Sequence, residues 1–421
     1  MSRIDDLIQE LCPDGVTHLA LGEVATYVRG VTYAKTDEVA VGGVGILRSN
    51  NIKIPENVLD LTDIKRIRLD SNLKETQRLS KNDILMSAAS GSKQHVGKVA
   101  YIFKDTDFYF GSFMAVIRSL NSMNSRFLFH LLTSDSFNKH LEAAISSSTI
   151  NNLNASILYS FRIPVPPLEV QREIVSILDK FTELEAELEA ELEAELEARK
   201  KQFKYFCDDL YSASYLDLIS KNVTKTLGEI GSFTRGNGLQ KSDLTSGGAG
   251  CIHYGQIFTF YKTQIFETKS FVSNEMANRL KKASKGDLII ATTSENDADV
   301  CKAVVWLGSE EIGIGGETYI FRHNLDPLFS AYYFKSDLFQ FQKHKKITGT
   351  KVRRVHGDAM AKFVIVVPEM QHQILIGQTL SKLESLLESM DSGLPAEIAA
   401  RRKQYEHYRD QLLTFKELKS A

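Results

Sequence analysis

Apolar residues along the chain fall into two kinds of pattern. Short runs such as Asp83-Ile84-Leu85-Met86, Val99-Ala100-Tyr101-Ile102-Phe103, Ala115-Val116-Ile117 and Thr318-Tyr319-Ile320-Phe321 are bounded by Gly and Asn turns and predict β-strands. Phe127 to Ile145 predicts a helix among them. Elsewhere apolar residues return every three or four positions, at Ile174, Leu178, Phe181 and Leu184, and again at Ile376, Leu380, Leu383, Leu387 and Met390. That spacing lays a stripe along one face of an α-helix. Pro166-Pro167 and Pro368 precede the two stripes, where proline is tolerated. The first helix, from about Val170 to Tyr211, is expected to run roughly 60 Å at about 1.5 Å per residue. Such a helix with one apolar stripe needs a partner, and the matching segment supplies it as an intramolecular antiparallel coiled coil.

The same succession occurs twice. Leu21-Gly22-Glu23 returns as Leu227-Gly228-Glu229, and Arg29-Gly30 with Lys35-Thr36-Asp37 returns as Arg235-Gly236 with Lys241-Ser242-Asp243, an offset of 206. Lys81 to Leu85 matches Lys285 to Ile289, Val96-Gly97-Lys98 matches Val300-Cys301-Lys302, and Gly111 and Arg118 match Gly315 and Arg322, an offset of 204. Pro166 and Gln171 match Pro368 and Gln373, and Ala198 to Phe203 match Ala400 to Tyr405, an offset of 202. A drift of this kind is what a duplicated unit with two small indels gives. The expected fold class is α+β, with two pseudo-repeated α+β domains separated by two long helices in an antiparallel coiled coil. The predicted division is an N-terminal helix at 1–16, a first domain at 17–167, a central helix at 168–215, a second domain at 216–368 and a distal helix at 369–421.

Residues 183–198 are four copies of Glu-Leu-Glu-Ala. Four residues turn an α-helix by about 400°, so the row Leu184, Leu188, Leu192 and Leu196 drifts about 40° per copy. The row is a spiral, and the alanines are expected to share the contact with Leu178, Leu380, Leu383 and Leu387. One copy more or less changes the helix by about 6 Å, comparable with one or two base-pair steps of about 3.4 Å. By composition the tract is a solvated, propensity-rich helix. Between two duplicated domains it reads as a spacer.

Composition narrows the function. No apolar run approaches the roughly 20 residues that span a bilayer, and Met1 to Asp6 has early acids and no apolar core of a signal peptide. Cys12, Cys207, Cys251 and Cys301 are far apart with no CxxC, which favours reduced thiols in a cytoplasmic protein. The net charge of −2 hides a bias, because removing the eight glutamates of the tract leaves +6 for the rest. Gly91 and Gly97-Lys98-Val99 are one residue too far apart for a P-loop, and Val99 stands where a Ser or Thr would hold magnesium. Gly313-Ile314-Gly315-Gly316 lacks dinucleotide-binding spacing, and no Asn-Pro-Pro-aromatic, HExxH or GxSxG motif occurs. The ten histidines show no ligand spacing, so no catalytic or metal residue is expected.

Phosphate contacts need Lys and Arg, and base reading needs Arg, Asn and Gln with Ser and Thr. The first domain offers Arg29, Lys35, Arg48, Asn50, Asn51, Lys53, Ser87, Ser90, Ser92, Lys93, Lys98, Asn151 and Asn152 in loop-like stretches. The second offers Arg235, Lys241, His253, Tyr254, Gln256, Thr292, Thr293, Ser294, Asn296, Lys345, Lys346, Lys351, Arg353 and Arg354. Taken singly, each reads more readily as part of a solvated polar loop, and Asn151-Asn152 also as a turn cap. The cations between Lys343 and Arg354 repel one another unless a polyanion meets them, which makes that stretch the strongest candidate.

The ordered set of features resembles the specificity subunits of type I restriction-modification enzymes over nearly the whole chain. The likeness is carried by Ser147-Ser148-Thr149-Ile150-Asn151-Asn152-Leu153 and Ile163 to Gln171 in the first half. In the second half it is carried by Gly349-Thr350-Lys351-Val352, by Val366-Val367-Pro368 with Gln371, and by Gly393 to Tyr405. Two departures stand out: Ser147 lies opposite Gly349, and Pro368-Glu369-Met370 replaces Pro166-Pro167-Leu168. The resemblance implies two target recognition domains, each reading one part of a split double-stranded DNA site from the major groove, with a gap set by the paired helices. It also implies two modification subunits that bind S-adenosylmethionine and methylate adenine, and two motor-nuclease restriction subunits that use ATP and magnesium. This chain itself would hold no cofactor. A stand-alone DNA-binding regulator and a coiled-coil adaptor between proteins remain the competing readings.

Overall fold

The structure is a computed structural model and describes residues 3–54, 56–68, 73–90, 92, 95–146 and 153–418. The chain forms two compact units, residues 1–190 with 396–421 and residues 191–395. Each contains one α+β body and a pair of half-helices, because the division cuts both the central helix, Leu168–Leu210, and the distal helix, Met370–Leu412.

The body of the first unit is built on an antiparallel sheet in the order Ala25–Arg29, Met114–Ser119, Ile84–Ser87, Val99–Tyr101. The second unit repeats it as Gly231–Arg235, Thr318–His323, Leu288–Ala291, Lys302–Trp306, with Gln264–Ile265 added in parallel. The strands Ile84–Ser87 and Leu288–Ala291 are buried at every residue. Alternation then sends side chains into two cores. Ile84 and Met86 pack toward the helices, and Leu85 packs with Leu47 and Phe110 on the other face. Leu288 and Ile290 against Ile289 and Ala291 do the same in the second unit. A second, smaller sheet in each body carries one parallel pair, Val44–Leu47 with Tyr109–Phe110 and Ala249–Ile252 with Ile312–Ile314.

The sequence repeat is a structural repeat. Asp83 pairs with Arg118 at 2.7 Å, and Asp287 with Arg322 at 2.7 Å. Gln171 and Gln373, both buried, accept the N–H of Asn124 and Asp326 and donate to the carbonyls of Pro166 and Pro368. A Cβ on Gly30 would lie 2.1 Å from the Gly111 carbonyl oxygen, and one on Gly236 would lie 2.1 Å from that of Gly315. Only glycine allows this approach of two backbones.

Three expectations need correction. Phe127 to Ile145 is two helices, Ser125–Leu132 and Asp135–Ser146. Ser134 breaks the run: its hydroxyl accepts the Phe137 N–H at 3.3 Å and donates to the Leu131 carbonyl at 2.7 Å. In the Glu-Leu-Glu-Ala tract Leu184 is 51% exposed, whereas Leu178 and Leu380 are buried and Leu188, Leu192, Leu196, Leu383 and Leu387 are half-buried. The alanines do not share the contact, since Ala186, Ala190, Ala194 and Ala198 are all exposed. The drift of the four-residue repeat brings Glu185 inward instead, 3.5 Å from Arg402. Burial pushes its carboxyl above the usual range, against the pull of Arg402. Within each unit the helix pairing is antiparallel. Phe181 stacks on Tyr408 and Glu185 meets Arg402 in the first unit, and Lys200 meets Asp391 in the second. No side chain from Asp179 to Phe206, or from Ser381 to Tyr408, is fully buried.

Candidate nucleic-acid interface

Parallel strands point their C-terminal ends the same way, so the loops that follow each parallel pair emerge together. In the first unit these loops begin at Arg48 and Gly111, and the Gly111 N–H donates to the Leu47 carbonyl at 2.9 Å. They border an open cleft of about 1060 Å3. Lys35, Arg48, Asn50, Lys53, Ser90 and Lys98, scattered over 64 positions of sequence, all line it. Arg48 also pairs with Asp63 at 3.0 Å, and Lys53 with Asp60 at 3.2 Å. Burial holds the Lys98 ammonium below the usual lysine range. Arg29 does not line the cleft; its Nε donates at 2.6 Å to the carbonyl of Ser112, which does.

Other residues of the first domain are placed differently. Asn51 is buried: its Oδ1 accepts the Arg48 N–H at 2.8 Å, and Nδ2 donates to the carbonyls of Asp60 and Asp63, each at 2.9 Å. It closes the loop that presents Arg48 and Asn50, and its amide has no face left for a base. Ser87 is buried in the central strand, bonded to Ser49 at 2.9 Å. Ser92 is exposed and does not line the cleft. Lys93, Asn151 and Asn152 lie outside the described residues.

In the second unit the corresponding loops begin at His253 and Gly315, joined by a bond from the Gly315 N–H to the Ile252 carbonyl at 3.2 Å. Gln256 does what Asn51 does: Oε1 accepts the His253 N–H at 3.0 Å and Nε2 donates to Ser270 at 2.6 Å. The His253 and Tyr254 rings lie 4.6 Å apart, tilted by 41° to one another. Burial, followed by the charge of Lys241, holds the His253 imidazole below its usual range. Arg235 mirrors Arg29, donating to the Gly316 carbonyl at 3.0 Å. Around it a two-stranded ladder pairs Thr293 with Arg354 and Ser294 with Arg353. Glu317 ties this group together, accepting from Thr293 at 2.6 Å and lying 3.7 Å from Arg354.

Thr292 and Thr293 are nearly buried, which removes them from the surface expected for them. Asn296 is exposed and bonds locally to Asp299. The cationic stretch also proves less unbalanced than its sequence implies. Lys343 is buried and donates to the Ala298 carbonyl at 3.0 Å. Lys345 sits 3.8 Å above the Phe341 ring, Arg353 meets Asp297 at 2.9 Å, and Arg354 meets Glu317. No polyanion is needed to hold these four. Lys346 and Lys351 are exposed.

Sequence patterns gave no sign of Tyr33, His95 and Phe113 in the first cleft, or of Glu317 in the second cluster. Phe113 is 68% exposed. Its signal was available only from the repeat, which sets it opposite Glu317. The assembled groups are donors suited to phosphate oxygens and base edges. Among the described residues no cluster of His, Cys, Asp and Glu suits a metal ion, and no helix is long and apolar enough to cross a membrane. All four cysteines are free and buried, with burial pushing Cys207 and Cys301 up to about 12.

Comparison with known proteins places this architecture. Residues 13–198 match the family described as the type I restriction modification DNA specificity domain. A Haemophilus influenzae protein named as a type I restriction enzyme specificity subunit is 30% identical over 328 residues, covering 73% of this chain and 77% of its own. A chain from a structure concerned with assembly and conformational transition of the type I restriction-modification system shares the fold at TM-score 0.71 and 17% identity, over 95% of this chain and 98% of that one. The HsdS subunit of Thermoanaerobacter tengcongensis does so at TM-score 0.62 and 18% identity, over 96% and 97%. On the extent of these matches, the chain belongs to the family of type I restriction enzyme specificity subunits.

Proposed function

We propose that this chain gives a type I restriction-modification complex its DNA sequence specificity by reading a bipartite site. Each α+β body takes one half-site with the loops after its parallel strand pair. The carrying observation is the duplicated loop cluster: the same scaffold of Arg29 or Arg235, Gly30 or Gly236, and Asn51 or Gln256 presents different side chains in each unit. That is the arrangement needed to read two different sequences in the same way.

The chain acts without catalysis of its own. Two modification subunits, carrying S-adenosylmethionine, methylate the site, and two restriction subunits bring ATP and magnesium chemistry, all in the cytoplasm. The Glu-Leu-Glu-Ala helix sets the gap between half-sites. The test is a DNA titration of the full chain with its modification subunits across salt concentrations. Affinity should fall steeply as salt rises, since a protein making several phosphate contacts releases as many counterions. A salt-independent interaction, or none, would refute the reading. Deleting one Glu-Leu-Glu-Ala copy should change the preferred gap and leave both half-sites intact.

A further inference from the structure

We infer that one loop position, occupied by Phe113 in the first unit and Glu317 in the second, discriminates bases in the two half-sites. The inference rests on the bipartite reading above. The two positions are structurally equivalent by three independent contacts. A Cβ on Gly30 or Gly236 would strike the carbonyl of Gly111 or Gly315, two residues before the position. Arg29 or Arg235 donates to the carbonyl of Ser112 or Gly316, one residue before it. The N–H of Ala88 or Thr292 donates to the carbonyl of the residue itself, at 2.9 and 3.2 Å.

The backbone is therefore clamped alike on both sides of the position, and the side chain is what differs. Around it the duplicated units keep identity where structure demands it, at Asp83 and Asp287, Arg118 and Arg322, and Gln171 and Gln373. A switch from an aromatic to a carboxylate at a rigidly presented site has no counterpart among those pairs. Phe113 is 68% exposed at the edge of a cleft lined by Arg48, Asn50 and Lys98, so its apolar ring is held among groups suited to polar partners. In the major groove the apolar feature available to it is the thymine methyl. Glu317 keeps Oε2 on Thr293, whereas Oε1 lies 3.6 Å from Arg235, too far for a hydrogen bond. That oxygen accepts from an exocyclic amino group, N4 of cytosine or N6 of adenine.

The full chain, assembled with its modification subunits, is presented with a randomised DNA duplex library. The wild type selects a two-part motif with a thymine at one position of one half and a cytosine or adenine at one position of the other. Phe113→Ala loses the thymine preference alone, and Phe113→Leu retains most of it. Glu317→Gln relaxes the single position in the other half, and the letter lost identifies which amino group is read. Replacing the selected thymidine with deoxyuridine removes only the methyl. That weakens wild-type binding about four-fold, the effect of one buried methyl, and leaves Phe113→Ala unchanged. Variants that select the full wild-type motif, or changes spread over both halves, overturn the inference and leave the bipartite reading standing. A wild type that selects no two-part motif overturns that reading itself.

Discussion

Each unit fastens its long helix to the body through a carboxylate, but at different positions of the repeat, Asp179 lying opposite Ser381 and Glu384 opposite Thr182 at the offset of 202. In the first, Asp179 of the central helix meets His130 at 2.9 Å and Arg126 at 2.8 Å. In the second, Glu384 of the distal helix accepts from Tyr332 at 2.8 Å and from Thr263 at 2.8 Å, with the Lys335 ammonium on the same oxygen as Thr263. His130 and Tyr332 occupy the same place in the repeat, at an offset of 202. In both units burial opposes ionisation of the carboxyl, and the surrounding donors still hold it below the usual range. Both units thus set a carboxylate of the long helix against donors of the body, and the donors differ. One divergence has a physical consequence. Burial keeps the His130 imidazole below its usual range, so it titrates on acidification, whereas burial pushes the Tyr332 hydroxyl up and away from neutrality.

Trp306, buried in the second unit, is the sole tryptophan, so its fluorescence follows that unit while circular dichroism follows the whole chain. The largest effect should come from Gly30→Ala and Gly236→Ala, each forcing a methyl onto a carbonyl oxygen. Both should cost more than about 3 kcal/mol in urea unfolding, because backbone cannot move aside as a side chain can. A large difference between them would break the equivalence of the units. Glu384→Ala should cost about 3 kcal/mol on the Trp306 transition, since it strands a shielded lysine and two hydroxyls. Asp179→Ala should cost less, about 1–2 kcal/mol, because Asp179 is 38% exposed.

Acidification separates the units further. A histidine held below its ordinary value stabilises the fold fully above that value, 6.5, and loses this contribution as pH falls. His323, which burial holds to about 4, plays that part in the second unit. His323→Gln should flatten the decline of the Trp306 transition between pH 6.5 and 5, where each such group contributes at most about 1.4 kcal/mol per pH unit. His130→Gln should flatten the dichroism and leave the Trp306 transition alone. The smallest effect belongs to Leu184→Lys, within about 0.5 kcal/mol in thermal melts, as expected of an exposed site.

Much of this architecture is legible in the chain because duplication writes each constraint twice. The offsets of 206, 204 and 202 mark Gly30 and Gly111, Asp83 and Arg118, and the two helices as positions that recur, whereas the glycine approaches and the Asp–Arg pairs themselves are visible only in the fold. Side-chain direction was harder to read. Asn51 and Gln256 have the composition of base readers, and only tertiary structure shows the carbonyls and hydroxyl that consume their amides. Phe113 fails in the opposite sense. It adjoins Met114-Ala115-Val116, a buried run, yet it stands in the Ser112-Phe113 turn closed by the Met114 N–H on the Gly111 carbonyl, and is exposed.

The long unlocked middle of the two helices bears on how such a chain can change over generations. Residues that interlock lie near the ends of each helix, at Ile174 and Leu178, Cys207, Ile376 and Leu380, and Arg409. Between them the contacts from one helix to the other are half-buried or exposed, as at Phe181, Glu185 and Lys200. Gain or loss of one whole copy of the tract leaves Ile174, Leu178, Cys207, Ile376, Leu380 and Arg409 in their own packed surroundings and falls on the half-buried contacts between them. A length change of four residues is thus absorbed where packing is shallow, and the expected outcome is a chain whose two cores are unaltered.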